Sequence, residues 1–384
     1  MDPVRKLRKL NFGIVGGGVG GNIGKSHLRG ALMDNQAVLV AGAFSRNPER
    51  NQASGDLWGV SQDRVYPDYA MMAAAESQRK DGIDFVIIVT PNHLHYPVAK
   101  VFLEHGINVA CEKPFTLTVA EAEELCAIAR EKDLEIAITY TYAHYPMIRQ
   151  ARSLIRDGVI GDVMEIVAEY PEDWQMLAQN QKPDHFSNWF SDPAMAGESS
   201  VVGGMGIHAW YLLRAMTGLQ EEKVIAQFGY YPKNAPLESN ARILLRYQGG
   251  AQGVLWTSST AIGHDCTISI KIFGEKGSIE WEHDDPTRLR VALVDQPVQI
   301  MTCERAYLYP EARAMSRLPA GHPEGFYEAF ANIYREFCRH LLDKKARTAD
   351  GEYYYPDMQT GLDGMKFIAA CVQSNREDNV WVRI

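Results

Sequence analysis

The stretch Phe12-Gly13-Ile14-Val15-Gly16-Gly17-Gly18-Val19-Gly20-Gly21-Asn22-Ile23-Gly24 decides the fold. A short apolar strand runs straight into glycines, and Lys25–Met33 beyond them can continue as a helix. Gly16, Gly18 and Gly21 satisfy G-x-G-x-x-G, in a loop longer than the minimal version. Glycines there accept positive φ and let backbone N–H groups approach a pyrophosphate at the helix N-terminus. The loop therefore predicts a dinucleotide site, with Gly16, Gly18, Gly20, Gly21, Asn22 and Ile23 on the phosphate side.

The flanking sequence agrees. Val38–Ala41, Phe85–Val89 and Ile107–Ala110 are further short apolar runs separated by amphipathic stretches, and strands apolar on both faces belong to a parallel sheet covered by helices. Thr118, with Glu121 three residues on, predicts a capped helix over 119–132, followed by a strand at 135–140. The first domain is thus a doubly wound Rossmann domain over residues 1–142. A helix is expected over 146–157. From Val163 the pattern changes to strands joined by turns, at 163–170, 223–231, 242–247, 253–259, 267–273 and 278–281, which read as a mainly antiparallel open sheet in an α+β domain over 143–384. Amphipathic stretches at 335–342 and 358–374 are expected to pack around the edge of that sheet or back onto the first domain.

Composition sets the outer limits. A chain of 384 residues exceeds what one core holds, roughly 250–300 residues, so two domains are expected. With 46% apolar and 23% charged residues it has the balance of a globular enzyme. A net charge of -9 argues against nucleic acid or an anionic membrane as partner and favours a small molecule. The basic start, Met1 to Leu10, meets the first strand with no apolar signal stretch, and no apolar run is long enough to span a bilayer. Six cysteines without C-x-x-C spacing read as reduced thiols of a cytoplasmic protein, with no zinc site.

Where an acidic residue would bind the ribose of NAD, the second strand ends in Ala43-Phe44-Ser45-Arg46-Asn47. Ser45 and Arg46 would tolerate a 2′-phosphate, so the cofactor is written NAD(P).

Thr90-Pro91-Asn92-His93-Leu94-His95 and Cys111-Glu112-Lys113-Pro114, together with the glycine loop, resemble the glucose-fructose oxidoreductase and inositol dehydrogenase family, Gfo/Idh/MocA. Trp189-Phe190-Ser191-Asp192-Pro193, Ala196-Gly197, Gly206-Ile207-His208 and Gly321-His322-Pro323-Glu324-Gly325 echo its C-terminal half. The resemblance implies cofactor contacts from Thr90, Pro91, Asn92, His95, Glu112 and Lys113. It also places Lys113 between nicotinamide and substrate and makes His208 the proton acceptor or donor. The same ligand crevice follows independently from a lysine at the C-terminal end of a parallel strand. One departure stands out: the family pattern Asp-x-Gly-x-His has Gly204 where the acid belongs. Tyr142, His144, Tyr145, Glu172, Asp173 and Trp174 lie at the two chain junctions expected to face the interdomain cleft, and Tyr142, His144, Asp173 and Trp174 join Lys113 and His208 as substrate-binding candidates. His93 and His95 have metal-ligand residue types but no neighbouring cysteine or carboxylate, so no metal is expected.

These readings give an NAD(P)-dependent oxidoreductase acting at a secondary hydroxyl or ketone of a cyclic sugar, glycoside or inositol. A redox-neutral, NAD-dependent glycoside hydrolase is the alternative that the missing acid keeps open. A non-catalytic dinucleotide sensor would not need Lys113. The resemblance further implies a homodimer or homotetramer.

Overall fold

A computed structural model describes residues 9–21, 23–181, 188–346, 348 and 352–384, without the side chains of 179–181 and 188. In chain order the elements are β1 (Leu10–Gly16), α1 (Ile23–Met33), β2 (Ala37–Ala43), α2 (Pro48–Trp58), α3 (Tyr69–Gln78), β3 (Phe85–Val89), α4 (His95–Glu104), β4 (Asn108–Cys111), α5 (Val119–Glu131) and β5 (Ile136–Ile138). There follow α6 (Pro146–Arg156), β6 (Val163–Pro171), α7 (Trp174–Gln181), α8 (Pro193–Ala196), α9 (Ile207–Thr217), β7 (Glu221–Gly229), β8 (Asn240–Tyr247), β9 (Gln252–Ser258) and β10 (Ser269–Gly274). The chain ends with β11 (Gly277–Glu282), β12 (Arg288–Leu293), β13 (Gln299–Thr302), α10 (Pro310–Arg313), α11 (Phe326–Ala346), α12 (Met358–Arg376) and β14 (Val382–Arg383). They fall into two compact units, Met1–Thr139 with Phe326–Leu362, and Tyr140–Gly325 with Asp363–Ile384.

The first unit is a five-stranded, all-parallel sheet in the order β2-β1-β3-β4-β5. Every residue of β3 is buried, as an interior strand between helical layers requires. Local chemistry sets the helix starts. Asn47 caps α2 by accepting from the Arg50 N–H at 2.8 Å, with Pro48 in the first turn. Thr118 and Glu121 form the expected reciprocal capping box at α5. Phe12 and Phe85 stack at 5.4 Å, and Phe337 of α11 meets Phe85 edge-on at 5.4 Å. A Cβ on Gly30 would lie 2.7 Å from Phe330 Cβ, so α1 and α11 touch where only a glycine fits. Helix α11 is far longer than the 335–342 stretch read from sequence, because its apolar stripe extends back to Phe326 and Phe330.

The second unit holds a nine-stranded sheet in the order β13-β12-β11-β10-β6-β9-β8-β7-β14. Along β8, Ala241, Ile243, Leu245 and Tyr247 are buried while Arg242, Leu244 and Arg246 are exposed, the alternation of a sheet with one face on a core. The buried face lies against α6 and α9, where Trp210 stacks on Phe367 at 5.6 Å. The sheet is mainly antiparallel, as the strand pattern predicts, with β6 pairing β9 in parallel. No hairpin joins those two strands: the chain between them passes through α7, α8, α9, β7 and β8, which leaves their relative direction free. Strands β12, β13 and β14 were not read from sequence: β13 and β14 are only four and two residues long, and β12 carries Arg288 and Arg290 among its apolar residues. Among the described residues no helix is long and apolar enough to cross a membrane.

Candidate functional site

In the first unit, chain topology brings the expected cofactor residues to one edge. The glycine loop, Ser45-Arg46, Thr90-Pro91-Asn92 and Glu112-Lys113 all follow the C-terminal ends of parallel strands, and the strand order changes direction at β1 and β3, the usual ligand crevice of such sheets. Gly16 has φ +83°, and a Cβ there would sit 2.6 Å from the Val89 carbonyl oxygen. A Cβ on Gly24, in the first turn of α1, would lie 2.4 Å from the Gly17 carbonyl oxygen. Close helix-to-loop packing, the task of the third fingerprint glycine, is thus performed by Gly24, which the sequence reading did not assign. Gly21 instead closes a turn, donating to the Gly18 carbonyl at 2.9 Å. A Cβ on Gly18 would meet Ser54 Oγ at 2.8 Å, and that hydroxyl accepts from the Val19 N–H. Gly20 faces open space, Ile23 begins α1, and Asn22 lies outside the described residues.

Ser45 Oγ accepts from the Asn47 N–H at 3.2 Å, and Arg46 is exposed. At the end of β3, Thr90 Oγ1 and His93 Nδ1 are buried with no hydrogen-bond partner among the described residues. Glycines that leave no room for side chains, a helix start facing the loop and orphaned polar atoms beside it fit a nicotinamide dinucleotide. His95, expected on the cofactor, is fully buried with Nδ1 2.7 Å from the Pro114 carbonyl and Nε2 2.9 Å from that of Thr90. It clips the loop after β3 to the loop after β4. Burial draws its pKa down, against two carbonyls that favour the charged ring.

Glu112 is held by groups of the protein itself. Its Oε1 lies 2.8 Å from His27 Nε2 and accepts from Thr139 Oγ1 at 2.6 Å, while Oε2 accepts from the Lys113 N–H at 3.2 Å. His27 Nδ1 in turn lies 2.5 Å from the Tyr334 hydroxyl. Burial alone would push the Glu112 carboxyl up, but the His27 and Thr139 hydrogen bonds and the Lys113 charge outweigh it and hold the group at about 2. Lys113 therefore follows a carboxylate that stays ionised. His27, Thr139 and Tyr334 were not found from sequence. The only available signal was His27 three residues after Gly24, on the inward side of α1.

In the second unit His208 stands in the first turn of α9, 7% exposed. The helix is entered through a π-helical turn, Val202–Gly206, in which the Ile207 N–H reaches back to the Val202 carbonyl. Glu238 takes the place of an N-cap: its carboxylate lies 2.7 Å from Ser199 Oγ and accepts from the N–H groups of Ser200, Val201 and Val202 at 3.1, 2.8 and 2.9 Å. The expected one-face pairing of positions 204 and 208 assumes an α-helical step, and the π-turn replaces that step. Among the described residues, the nearest side-chain neighbour of a Cβ built on Gly204 would be Phe190 Cε1, at 3.6 Å.

Around His208 the structure assembles aromatic side chains. The Tyr142 ring meets it edge-on at 4.8 Å, with Tyr140 and Tyr170 at 6.2 and 6.4 Å. The Tyr142 hydroxyl is 3.2 Å from that of Tyr170 and 3.1 Å from Cys266 Sγ, and Tyr170 is 3.2 Å from the same sulfur. Burial pushes both phenols well above the ordinary range, so they remain neutral hydrogen-bonding groups. His283, edge-on to Tyr142 at 5.0 Å, is 3.1 Å from the Cys266 carbonyl through Nδ1 and 3.2 Å from the Tyr145 hydroxyl through Nε2. Of the other candidates, His144 is fully buried, Asp173 precedes α7 and its carboxylate accepts from the Gly263 N–H at 3.1 Å, and Trp174 lies 5.8 Å from the ring of Phe190. Tyr170, Cys266 and His283 carried no sequence signal.

Comparison with known proteins agrees with both halves. Residues 10–140 match the family model described as oxidoreductase family, NAD-binding Rossmann fold, and 148–280 match the GFO/IDH/MocA C-terminal domain. The uncharacterized oxidoreductase YfiI of Bacillus subtilis (strain 168) is 37% identical over 381 residues, 98% of this chain and 97% of that protein. An inositol dehydrogenase homolog from Azotobacter vinelandii, solved with NAD+, is 34% identical with a TM-score of 0.94, covering 99% of this chain and 98% of that one. Levoglucosan dehydrogenase of Pseudarthrobacter phenanthrenivorans is 23% identical over 74% of this chain and 77% of its own length. In both its units, then, the chain belongs to the Gfo/Idh/MocA family of NAD-binding oxidoreductases.

Proposed function

We propose that the enzyme moves a hydride between NAD(P) and a secondary hydroxyl or ketone of a cyclic polyol or sugar, inositol-like substrates first. The observation that carries this reading is Lys113, set at the C-terminal end of β4 directly after an ionised, fully hydrogen-bonded carboxylate. A lysine so placed supplies a donor to a substrate oxygen. His208, ringed by neutral tyrosines, takes the hydroxyl proton on oxidation and returns it on reduction. When bound, the dinucleotide supplies the two-electron acceptor or donor. The hydroxyls of Tyr142 and Tyr170 offer the fixed polar groups a polyol needs beside an aromatic surface. The Azotobacter vinelandii homolog has also been solved with NADH and myo-inositol, at 34% identity over 98% of both chains, which supports a cyclic polyol.

The test is a panel of myo-inositol, anhydro sugars, aldopentoses and aryl glycosides, each with NAD+ and with NADP+, followed by the absorbance of reduced nicotinamide. Lys113→Ala is expected to lower kcat by about 10²–10⁴-fold while dinucleotide Kd stays within about threefold. Retained turnover sinks the role of Lys113. Release of aglycone without reduced nicotinamide would favour the redox-neutral hydrolase instead.

A further inference from the structure

Four elements converge on Glu112: His27 from α1, Thr139 after β5, Tyr334 from α11 through His27, and the Lys113 backbone. We propose that His27 and Tyr334 are positioning residues, which act through Glu112 to fix the backbone from which Lys113 reaches the substrate. This rests on the reading of Lys113 given above.

The hydrogen bonds of the chain fit together end to end. The Lys113 N–H and the Thr139 hydroxyl are donors, so the Glu112 carboxylate is their acceptor. His27 then donates from Nε2 to the same carboxylate, and its Nδ1 lone pair receives the Tyr334 hydroxyl proton. Each ring nitrogen thus has a partner, Glu112 on one side and Tyr334 on the other, and the ring's orientation is set from both sides. His27 is 0% and Tyr334 1% exposed, so the chain ends on buried groups at Tyr334, while the Glu112 side chain keeps 12% of its surface exposed at the other end. With a buried end at Tyr334, the chain is built to hold the Glu112 carboxylate in one orientation. Orientation is worth that investment, since a misplacement near 1 Å costs about 10²-fold in rate.

Removing the ring's donor frees Glu112 to rotate and the Lys113 N–H with it. His27→Leu keeps the bulk but loses the donor, whereas His27→Gln retains an N–H near the Nε2 position. For the polyol turned over in the panel, His27→Leu should lower kcat about 10–100-fold, with KM and NAD+ Kd within about threefold. His27→Gln should recover most of that loss, and Tyr334→Phe, lacking one oxygen, should fall between. In the protein without dinucleotide, labelling of Lys113 by an amine reagent, read by mass spectrometry, should rise about threefold in His27→Leu while labelling of the exposed Lys233 stays constant.

A folded His27→Leu with unchanged kcat and labelling overturns the proposal, as does His27→Gln performing no better than His27→Leu. Should His27→Leu fail to fold, Tyr334→Phe decides, and parental kcat there overturns it as well. Lys113→Ala run alongside separates the two levels: its retained turnover defeats both readings, whereas its inactivity beside a fully active His27→Leu defeats this one alone.

Discussion

The two polar clusters, Glu112 with His27 and His208 with Tyr142, solve the same problem in opposite ways. The first holds a full charge inside a parallel sheet. It does so by directing hydrogen bonds from His27, Thr139 and the Lys113 backbone at one carboxylate, a buried ion that would otherwise be prohibitively costly. The second holds no fixed charge: it surrounds a histidine with ring edges and neutral hydroxyls, whose pKa values burial keeps high. Rigid charge suits a group that must point at one atom. A neutral, aromatic surrounding suits the role proposed for His208, accepting and releasing a proton without trapping it. The clusters should accordingly respond to different substitutions.

The largest separation is expected from Gly24→Ala. The new methyl would sit 2.4 Å from the Gly17 carbonyl oxygen, backbone against backbone, with no flexible side chain to yield. Overpacking of about 1–3 kcal/mol, expressed through the loop proposed to hold the pyrophosphate, should raise NAD+ Kd by about 5–150-fold. Polyol KM measured at saturating dinucleotide should stay near the parental value. Titration of the purified variant by nicotinamide fluorescence checks this, and a Kd within threefold of the parent would remove Gly24 from the cradle.

Tyr142→Phe is the complementary, milder perturbation. It keeps the ring against His208 and deletes the hydroxyl shared with Tyr170 and Cys266. A net hydrogen bond of about 1 kcal/mol corresponds to a rise in polyol KM of about 3–10-fold, with dinucleotide Kd unmoved. If steady-state kinetics show instead that NAD+ affinity falls and KM does not, the division of labour between the clusters is wrong.

How far each cluster was legible from sequence follows from how it is built. The dinucleotide half is written in contiguous motifs, because parallel strands deliver their C-terminal ends to one edge and each loop there speaks for itself. Gly16, Thr90 and Lys113 could be placed without knowing strand order. His27 and Tyr334 could not, since their meeting depends on α11 returning across α1 some 300 positions later. In the other half, Tyr170 ends β6, Cys266 precedes β10 and His283 follows β11. Sheet register alone draws them together, with Ser269 opposite Glu169 and the His283 N–H donating to the Ile268 carbonyl. A local pattern contains none of that, and the alternation that revealed the strands says nothing of their ends.

The smallest expected effect belongs to Gly204→Asp, and it bears on whether the second cluster works without an acid. In an uninterrupted α-helix the new carboxylate would stand one turn before His208, favour the imidazolium and restore the family pattern. Here the π-turn breaks that register, and the nearest neighbour of the added side chain is the Phe190 ring. Replacing glycine within a helix also restricts the unfolded chain, which offsets part of the cost of an acid beside an aromatic ring. The variant should therefore fold with a melting temperature close to the parent's and lose no more than about threefold in kcat/KM through displacement of Phe190. A pH-rate profile and the polyol panel, run on parent and variant together, give the answer. Higher activity on every sugar, with the histidine limb of the profile moved to higher pH, would mean that the carboxylate does reach His208 and that the neutral surrounding is a deficit rather than a design. A loss beyond about 100-fold would instead mean that substrate occupies the space Gly204 leaves open.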